Sequence, residues 1–159
     1  MTEAEFEEQV TAMTSLMYYV ASGLLASLPD QQDAIQESIW RAWRSLSGLR
    51  DERAFRPWLM RILVRQCRSL GRRKGRELPV EQVADTPQPD VSEHLARNEA
   101  LAQAMRRLPE KQRLTMILVL VNGFSYDEAA RALAVPIGTV KSRVNHGKAR
   151  LRQMLGEEV

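Results

Sequence analysis

The sequence has few of the residues on which disulfide-linked, metal-held or catalytic proteins depend. Cys67 is the only cysteine, which excludes an internal disulfide and a cysteine-cluster metal site. The two histidines, His94 and His146, have no metal-ligand spacing. Paired carboxylates, a nucleophile with its base and a phosphate-binding glycine loop are also missing. We therefore predict neither an enzyme nor a cofactor or small-molecule substrate, and we expect Cys67 to be a small core residue.

Long apolar runs are absent too. No stretch approaches the ~18 apolar residues of a membrane-spanning helix. The N-terminus carries acids (Glu3, Glu5, Glu7 and Glu8), the reverse of the basic start of a signal peptide. We expect a cytoplasmic protein without membrane insertion.

Aromatic residues make up only 6% of the chain, and runs of β-branched residues are rare. Alanine, leucine, arginine, glutamate and glutamine dominate instead, a composition that favours an all-α protein. With 159 residues and 44% hydrophobic content, the chain can bury a core in one ordinary domain or in two very small ones.

The distribution of charged residues and prolines divides the chain into distinct segments. Residues 50–76 carry ten lysines or arginines against two acids, whereas residues 77–93 carry three prolines, five acids and no base. The second segment has no helical periodicity, so we interpret it as an extended, flexible linker. The sequence thus predicts two small helical domains, over 1–76 and 94–159, with residues 77–93 between them.

Apolar periodicity predicts five helices before the last quarter of the chain. The first covers about 3–27 and is closed by Pro29. Asp30 is expected to cap the second, which covers about 30–47. The other three are expected over about 52–70, 92–107 and 110–122.

The last quarter of the chain has the pattern of a helix, a short turn and a second helix. Ser125 followed by Glu128 is a capping box, which predicts that a helix begins at Tyr126. Pro136 ends it, because proline disfavours the helical conformation of the preceding residue and cannot continue a helix. The second helix is predicted from about Ile137 to Leu155. Its inward stripe consists of Val140, Val144, Gly147 and Leu151.

The other side of this second helix carries small polar and basic groups. Between Pro136 and Arg152 there are five lysines or arginines and no carboxylate, as a recognition helix in a major groove requires. Side chains broadly opposite the apolar stripe are predicted to reach base edges, and those that flank it to hold phosphates. The first set is Lys141, Ser142, Asn145 and His146, and the second is Thr139, Arg143 and Lys148. Gly147 is expected to allow close packing on the inner face, and an ordinary solvated helix pair is the alternative.

A basic stripe runs along the helix predicted over 52–70 and beyond its end. Its arginines recur at helical spacing, and Trp58 lies near its edge. Such a ridge fits single-stranded or melted nucleic acid, although an isolated arginine ridge is commonly only a solvated face. The stripe consists of Arg61, Arg65, Arg68, Arg72 and Arg73.

The second predicted helix has a polar face with one large aromatic residue. Its buried stripe is Ile35, Ile39, Ala42 and Leu46, and the polar face holds Asp33, Gln36, Glu37 and Trp40. An exposed tryptophan beside such groups suits a protein contact surface. From the residues alone, packing of Trp40 against the third helix is an equal alternative.

Both predicted domains resemble one family. DQQDAIQESIWRAWRSL is similar to a signature in the first conserved domain of extracytoplasmic-function sigma factors, and FRPWLMRILVRQCRSLGRRKGR is similar to the run that follows it. The segment from LPEKQR to LRQML resembles the second domain over its whole length, and PIGTVKSR is its most specific part. The resemblance covers about residues 5–155.

This resemblance implies a bacterial transcription initiation factor that binds core RNA polymerase and promoter DNA. The first domain would open and read the upstream-ten element, the second would read the upstream-thirty-five element, and an anti-sigma factor would hold the protein in check. Asp33, Gln36 and Glu37 match the face that meets the clamp helices of the largest polymerase subunit, which favours contact for Trp40. Arg61 and the run from Arg65 to Arg76 match the part that meets the non-template strand.

Two other functions are consistent with parts of the sequence. A stand-alone helix-turn-helix regulator would explain the C-terminal domain, but it would leave the arginine stripe and the Asp33/Gln36/Glu37 face without a role. An adaptor that binds only proteins would show absent or salt-insensitive interaction with promoter DNA.

Overall fold

A computed structural model describes residues 1–74 and 99–156. These residues form seven α-helices linked by turns, which confirms the all-α prediction. The first domain contains α1 (Glu3–Ser22), α2 (Leu28–Arg44) and α3 (Phe55–Arg73), and the second contains α4 (Glu99–Arg107), α5 (Glu110–Met116), α6 (Tyr126–Leu133) and α7 (Ile137–Leu155). The linker predicted over 77–93, and the predicted helix start near residue 92, lie outside the described residues.

The boundary between α1 and α2 differs from the prediction. α1 ends at Ser22, and α2 is capped by Ser27, whose hydroxyl accepts a hydrogen bond from the backbone N–H of Asp30 at 3.2 Å. The predictions that Pro29 closes the first helix and that Asp30 caps the second are therefore wrong. Pro29 lies in the first turn of α2, where its missing N–H would have had no partner within the helix. The carboxylate of Asp30 pairs with Lys74 at the end of α3.

The first domain is a three-helix unit in which α2 packs on α3 and α1 contacts both. Aromatic side chains fill one end, where the ring of Phe6 lies 5.1 Å from that of Trp43 and 5.7 Å from that of Phe55. Cys67 on α3 is buried, which confirms the expectation that it is a core residue. Burial raises the pKa of its thiol to about 12.

The second domain is built around α7, which packs against α4, α5 and α6. α5 continues into a π-helical turn, Ile117–Val121, so the two together match the predicted helix over 110–122. Gly123 follows with a φ of 71°, a left-handed conformation that glycine adopts without steric cost and that ends the segment.

The two domains contact each other. α3 packs along α6, so that the first helix of the helix-turn-helix lies against the first domain. Buried apolar side chains of both domains form one continuous cluster. This packing brings α3 and the recognition helix into the same part of the molecule.

Candidate nucleic-acid and polymerase interfaces

Local hydrogen bonds and backbone conformation fix where the two helices of the helix-turn-helix begin and end. The Ser125 hydroxyl accepts from the Glu128 N–H at 3.0 Å, and the Glu128 carboxylate accepts from the Ser125 N–H at 3.0 Å, so α6 begins at Tyr126 as predicted. Ala134 turns the chain with a φ of 56°, which is rare for a residue other than glycine. Pro136 then occupies the N-cap position of α7. The sharp turn between these helices leaves one side of α7 facing outward.

The inner side of α7 is held close to α5. The stripe of Val140, Val144, Gly147 and Leu151 is buried, as predicted. A Cβ atom on Gly147 would lie 2.9 Å from both Cγ and Sδ of Met116, well inside normal contact. The expectation that Gly147 allows close packing is confirmed, because no other residue would let the helices approach this closely without a shift.

The outer side of α7 separates into two kinds of position. The side chains predicted to reach base edges are all exposed, namely Lys141, Ser142, Asn145 and His146. The side chains predicted to hold phosphates are all half-buried at the flanks, namely Thr139, Arg143 and Lys148. Amide, hydroxyl and ammonium groups on such an outer face supply the donors and acceptors that base edges pair with.

The arginine stripe lies along α3. Arg61, Arg65, Arg72 and Arg73 are exposed, and they form no ion pair with any residue of 1–74 or 99–156. Arg68 differs from them, because its Nη2 lies 3.5 Å from Oε1 of Glu110 in the second domain and its side chain is half-buried. Four exposed guanidinium groups along one helix make a surface suited to an anionic backbone.

The polar face of α2 is exposed as one surface. Asp33, Gln36 and Trp40 are exposed, and Trp40 keeps 55% of its surface accessible, so packing of Trp40 against α3 is excluded. The Glu37 carboxylate accepts a hydrogen bond from Arg41 Nε at 2.9 Å. The guanidinium of Arg44 lies 5.8 Å from the centre of the Trp40 ring. The face therefore presents a large aromatic anchor among charged and amide groups.

Sequence reasoning missed two residues beside this face. Trp43 and Phe6 line a groove of about 380 Å³ between α1 and α2, together with Ile39, Trp40 and neighbouring polar residues. The spacing of Trp43, three residues from Trp40, is a signal that could have found it, because such residues share one side of a helix. Phe6 offers no comparable signal, since its apolar and aromatic neighbours in the groove lie on α2.

Two parts of the chain match known families. Residues 10–77 match Sigma-70 region 2, and residues 98–151 match Sigma-70, region 4. The RNA polymerase sigma-E factor of Streptomyces antibioticus is 34% identical over 152 residues, covering 95% of this chain and 84% of that protein. The ECF RNA polymerase sigma-E factor of Haemophilus influenzae is 33% identical over 156 residues, covering 87% and 80%. The chain belongs to the extracytoplasmic-function (ECF) sigma factors.

Solved structures share the fold of this sigma factor. RpoE from Bartonella quintana, solved in complex with the anti-sigma factor NepR, is 26% identical with a TM-score of 0.72, covering 98% of this chain and 99% of that one. CnrH, solved in complex with the cytosolic domain of CnrY, has a TM-score of 0.69 at 23% identity, covering 99% and 92%. The likeness to CnrH concerns the fold alone.

Family membership establishes the general function. The sigma factor binds core RNA polymerase and directs promoter-specific transcription initiation, as the resemblance implied. It is not an enzyme, and a stand-alone helix-turn-helix regulator is not favoured because the Sigma-70 region 2 match covers the whole arginine stripe.

Neither a membrane-spanning helix nor a metal-type cluster of side chains is found in the described part of the sigma factor. Within residues 1–74 and 99–156, no helix is long and apolar enough to cross a bilayer. The same residues contain no cluster of three histidine, cysteine or acidic side chains that could hold a metal ion.

Proposed function

We propose that three surfaces of this sigma factor have separate binding roles. The α2 face binds the polymerase, the α3 stripe holds opened promoter DNA, and the outer face of α7 reads duplex DNA upstream. In this division residues 1–76 act as region 2, residues 77–93 as the linker and residues 94–159 as region 4.

The α2 face is proposed to bind the clamp helices of the largest polymerase subunit. Asp33, Gln36 and Trp40 share one exposed side, and the groove lined by Trp43 continues it. Tryptophan in a well-packed contact is a frequent hot spot of protein association. Exposed carboxylate and amide groups around it would fix the orientation of a partner helix by hydrogen bonds.

The α3 stripe is proposed to hold the non-template strand of the opened upstream-ten element. Arg61, Arg65, Arg72 and Arg73 supply cations along one side of the helix, and Arg68 joins them when it is released from Glu110. Guanidinium groups bind phosphate oxygens by paired hydrogen bonds, which suits a single strand that is followed along its backbone.

The outer face of α7 is the observation that carries the proposal. It has exposed groups of the base-pairing kind in its centre and half-buried donors at its edges. Lys141 can donate to the acceptors of guanine, and Asn145 can form two hydrogen bonds with adenine. Thr139, Arg143 and Lys148 would hold the phosphates on either side, so the helix would read the upstream-thirty-five element.

An anti-sigma factor is the proposed regulator. RpoE, which resembles this chain over both domains, was solved with the anti-sigma factor NepR. The groove beside Trp40 and Trp43 is apolar and open to solvent, as a surface for a partner helix would be.

Run-off transcription with core RNA polymerase on a genomic fragment library tests the function and yields its promoters. On a promoter so found, Arg61→Ala/Arg65→Ala should reduce open-complex formation, followed by permanganate footprinting, more than closed-complex binding. Each lost phosphate contact should lower the salt slope of single-strand binding by about 0.7. Arg107→Ala on α4, also an exposed arginine, is the control. Equal loss at both stages would count against the role of the α3 stripe.

A further inference from the structure

A buried carboxylate at the start of α2 holds the end of α3. Asp30 lies in the first turn of α2 and is buried. Its carboxylate pairs with the ammonium group of Lys74, which directly follows Arg73, the last residue of α3. The start of one helix therefore meets the end of the next, and an ion pair joins them.

Burial distinguishes this ion pair from an ordinary surface pair. The side chain of Asp30 is 7% exposed, whereas that of Asp51, which pairs with Arg53, is 50% exposed. Water and salt screen exposed pairs, which contribute little to stability. A carboxylate removed from water is costly without a counter-charge, so Lys74 has a strong reason to stay beside Asp30.

Lys74 also closes the last turn of α3 through its backbone. Its N–H donates to the carbonyl oxygen of Leu70 at 3.1 Å. Helix ends fray, because their last carbonyl groups lack partners within the helix. Asp30 fixes the side chain of the residue whose backbone makes this hydrogen bond. The ion pair therefore opposes fraying of the turn between Leu70 and Lys74.

That turn carries two of the arginines of the α3 stripe. Arg72 and Arg73 lie within it, and both side chains are exposed. A guanidinium binds a phosphate by two parallel hydrogen bonds only when its backbone presents it at the right distance and angle. Fraying would move both groups out of line with Arg61 and Arg65. The end of the stripe thus depends on support from α2.

We propose that Asp30 is a positioning residue for promoter opening, which through Lys74 keeps Arg72 and Arg73 aligned on the opened strand. This role rests on the proposed function, because the α3 stripe defines what Asp30 positions. Asp30 is too buried to contact DNA itself, and its charge would repel an anionic strand.

The charge of Asp30 separates positioning from general electrostatics. Asp30→Ala raises the formal net charge of +3 by one, which by itself would strengthen DNA binding. Loss of positioning weakens it instead. Glu8→Ala removes an exposed carboxylate of α1 with the same charge change, so it is the matched control.

The salt dependence of strand binding tests this role. Holoenzyme containing each variant is titrated with the single-stranded non-template upstream-ten sequence of a promoter found by run-off transcription. In Asp30→Ala the slope of log affinity against log salt should fall by about 0.7–1.4, the loss of one to two phosphate contacts. This is a loss of roughly 4- to 14-fold in affinity near 0.15 M salt. The slope in Glu8→Ala should not fall.

Coupling to the arginines separates positioning from a loss of stability. In Arg72→Ala/Arg73→Ala the contacts that Asp30 supports are already absent, so adding Asp30→Ala should lower the slope no further. Fluorescence titration should show unchanged affinity of Asp30→Ala for core polymerase. If circular dichroism shows that Asp30→Ala is unfolded, Lys74→Met removes the same pair from its more exposed side. Its slope should fall by more than the ~0.7 of one lost cation.

Three results would overturn the positioning role. They are an unchanged or steeper slope in folded Asp30→Ala, an equally large fall when Arg72 and Arg73 are already replaced, and a fall of about 0.7 or less in Lys74→Met. Failure of the proposed function looks different, because Arg72→Ala/Arg73→Ala would then keep the slope of the wild type.

Discussion

Gly147 of the recognition helix lies against Met116, with its Cβ position only 2.9 Å from the Cγ and Sδ atoms of that side chain. Met116 is fully buried, so its side chain would have to shift within a packed core to make room for a Cβ atom. Gly147→Ala should therefore lower the free energy of unfolding by about 1 kcal/mol, since overpacking typically costs 1–3 kcal/mol and the gain in helix propensity returns about 1. Urea denaturation measures the change.

Gly138, in the first turn of the same helix, is a matched control. Nothing lies within 4 Å of its Cβ position, so Gly138→Ala should stabilise the domain by about 0.5–1 kcal/mol. Combining Gly147→Ala with Met116→Ala should cost less than the sum of the single changes. If Gly147→Ala instead raises the free energy of unfolding, the Met116 side chain moves aside without destabilising the core.

Trp40→Ala combined with Gln36→Ala should weaken binding to core RNA polymerase by about 30-fold or more, the size expected when a tryptophan hot spot is lost. Both side chains are exposed, so helicity should be unchanged. Fluorescence titration of labelled sigma factor with core polymerase measures the affinity. Gln32→Ala changes another exposed side chain of α2 and should bind normally. Undiminished binding by the folded double variant would show that this face is misassigned.

Asn145→Ala should change the DNA sequence that the sigma factor prefers at the upstream-thirty-five element. A lost base contact costs about 1–3 kcal/mol and relaxes preference at one position, whereas a lost phosphate contact weakens all sequences alike. Lys148→Ala should therefore lower affinity without changing preference. Selection from randomised DNA compares the two variants. An unaltered preference in Asn145→Ala would mean that α7 docks in another orientation.

Stability should fall with alkaline pH because of Cys67. In the unfolded chain its thiol ionises near pH 8.5, whereas burial raises the folded-state pKa to about 12. Between these values the unfolded state binds fewer protons, so stability is lost as pH rises. At pH 9.5, one unit above the unfolded-state pKa, the loss should be about 1.4 kcal/mol. Urea denaturation under reducing conditions should show this loss of stability in the wild type and not in Cys67→Ala. If the stability of both proteins falls equally with pH, the loss comes from another group.

Short-range signals predicted much of the molecule. The capping box of Ser125 and Glu128 gave the correct start of α6, because its hydrogen bonds join residues three apart. Helical periodicity also gave the inward stripe of α7 and the exposed positions opposite it. The error at Pro29 has a local cause as well. Proline is common both just after the end of a helix and in the first turn of the next one, and only the capping hydrogen bond of Ser27 shows which of the two applies to Pro29.

Contacts between the domains could not be predicted in this way. Arg68 fitted the basic stripe by spacing, yet spacing gives no sign that Glu110, 42 residues later, would pair with it. Nothing in the sequence pattern distinguishes Arg113 from the other basic residues of its helix. The partner of Arg113 is the backbone carbonyl of Gly23, a group that every residue possesses and that leaves no mark in a sequence pattern.

That choice of acceptor has an evolutionary consequence. Replacement of Gly23 by another residue leaves the carbonyl oxygen in place, whereas replacement of Arg113 removes the donor. The two halves of the contact are thus unequally sensitive to substitution, because only the donor depends on the identity of a side chain. A first domain taken from a relative could be joined to this second domain and still accept the hydrogen bond from Arg113, provided that the end of its α1 follows the same backbone path.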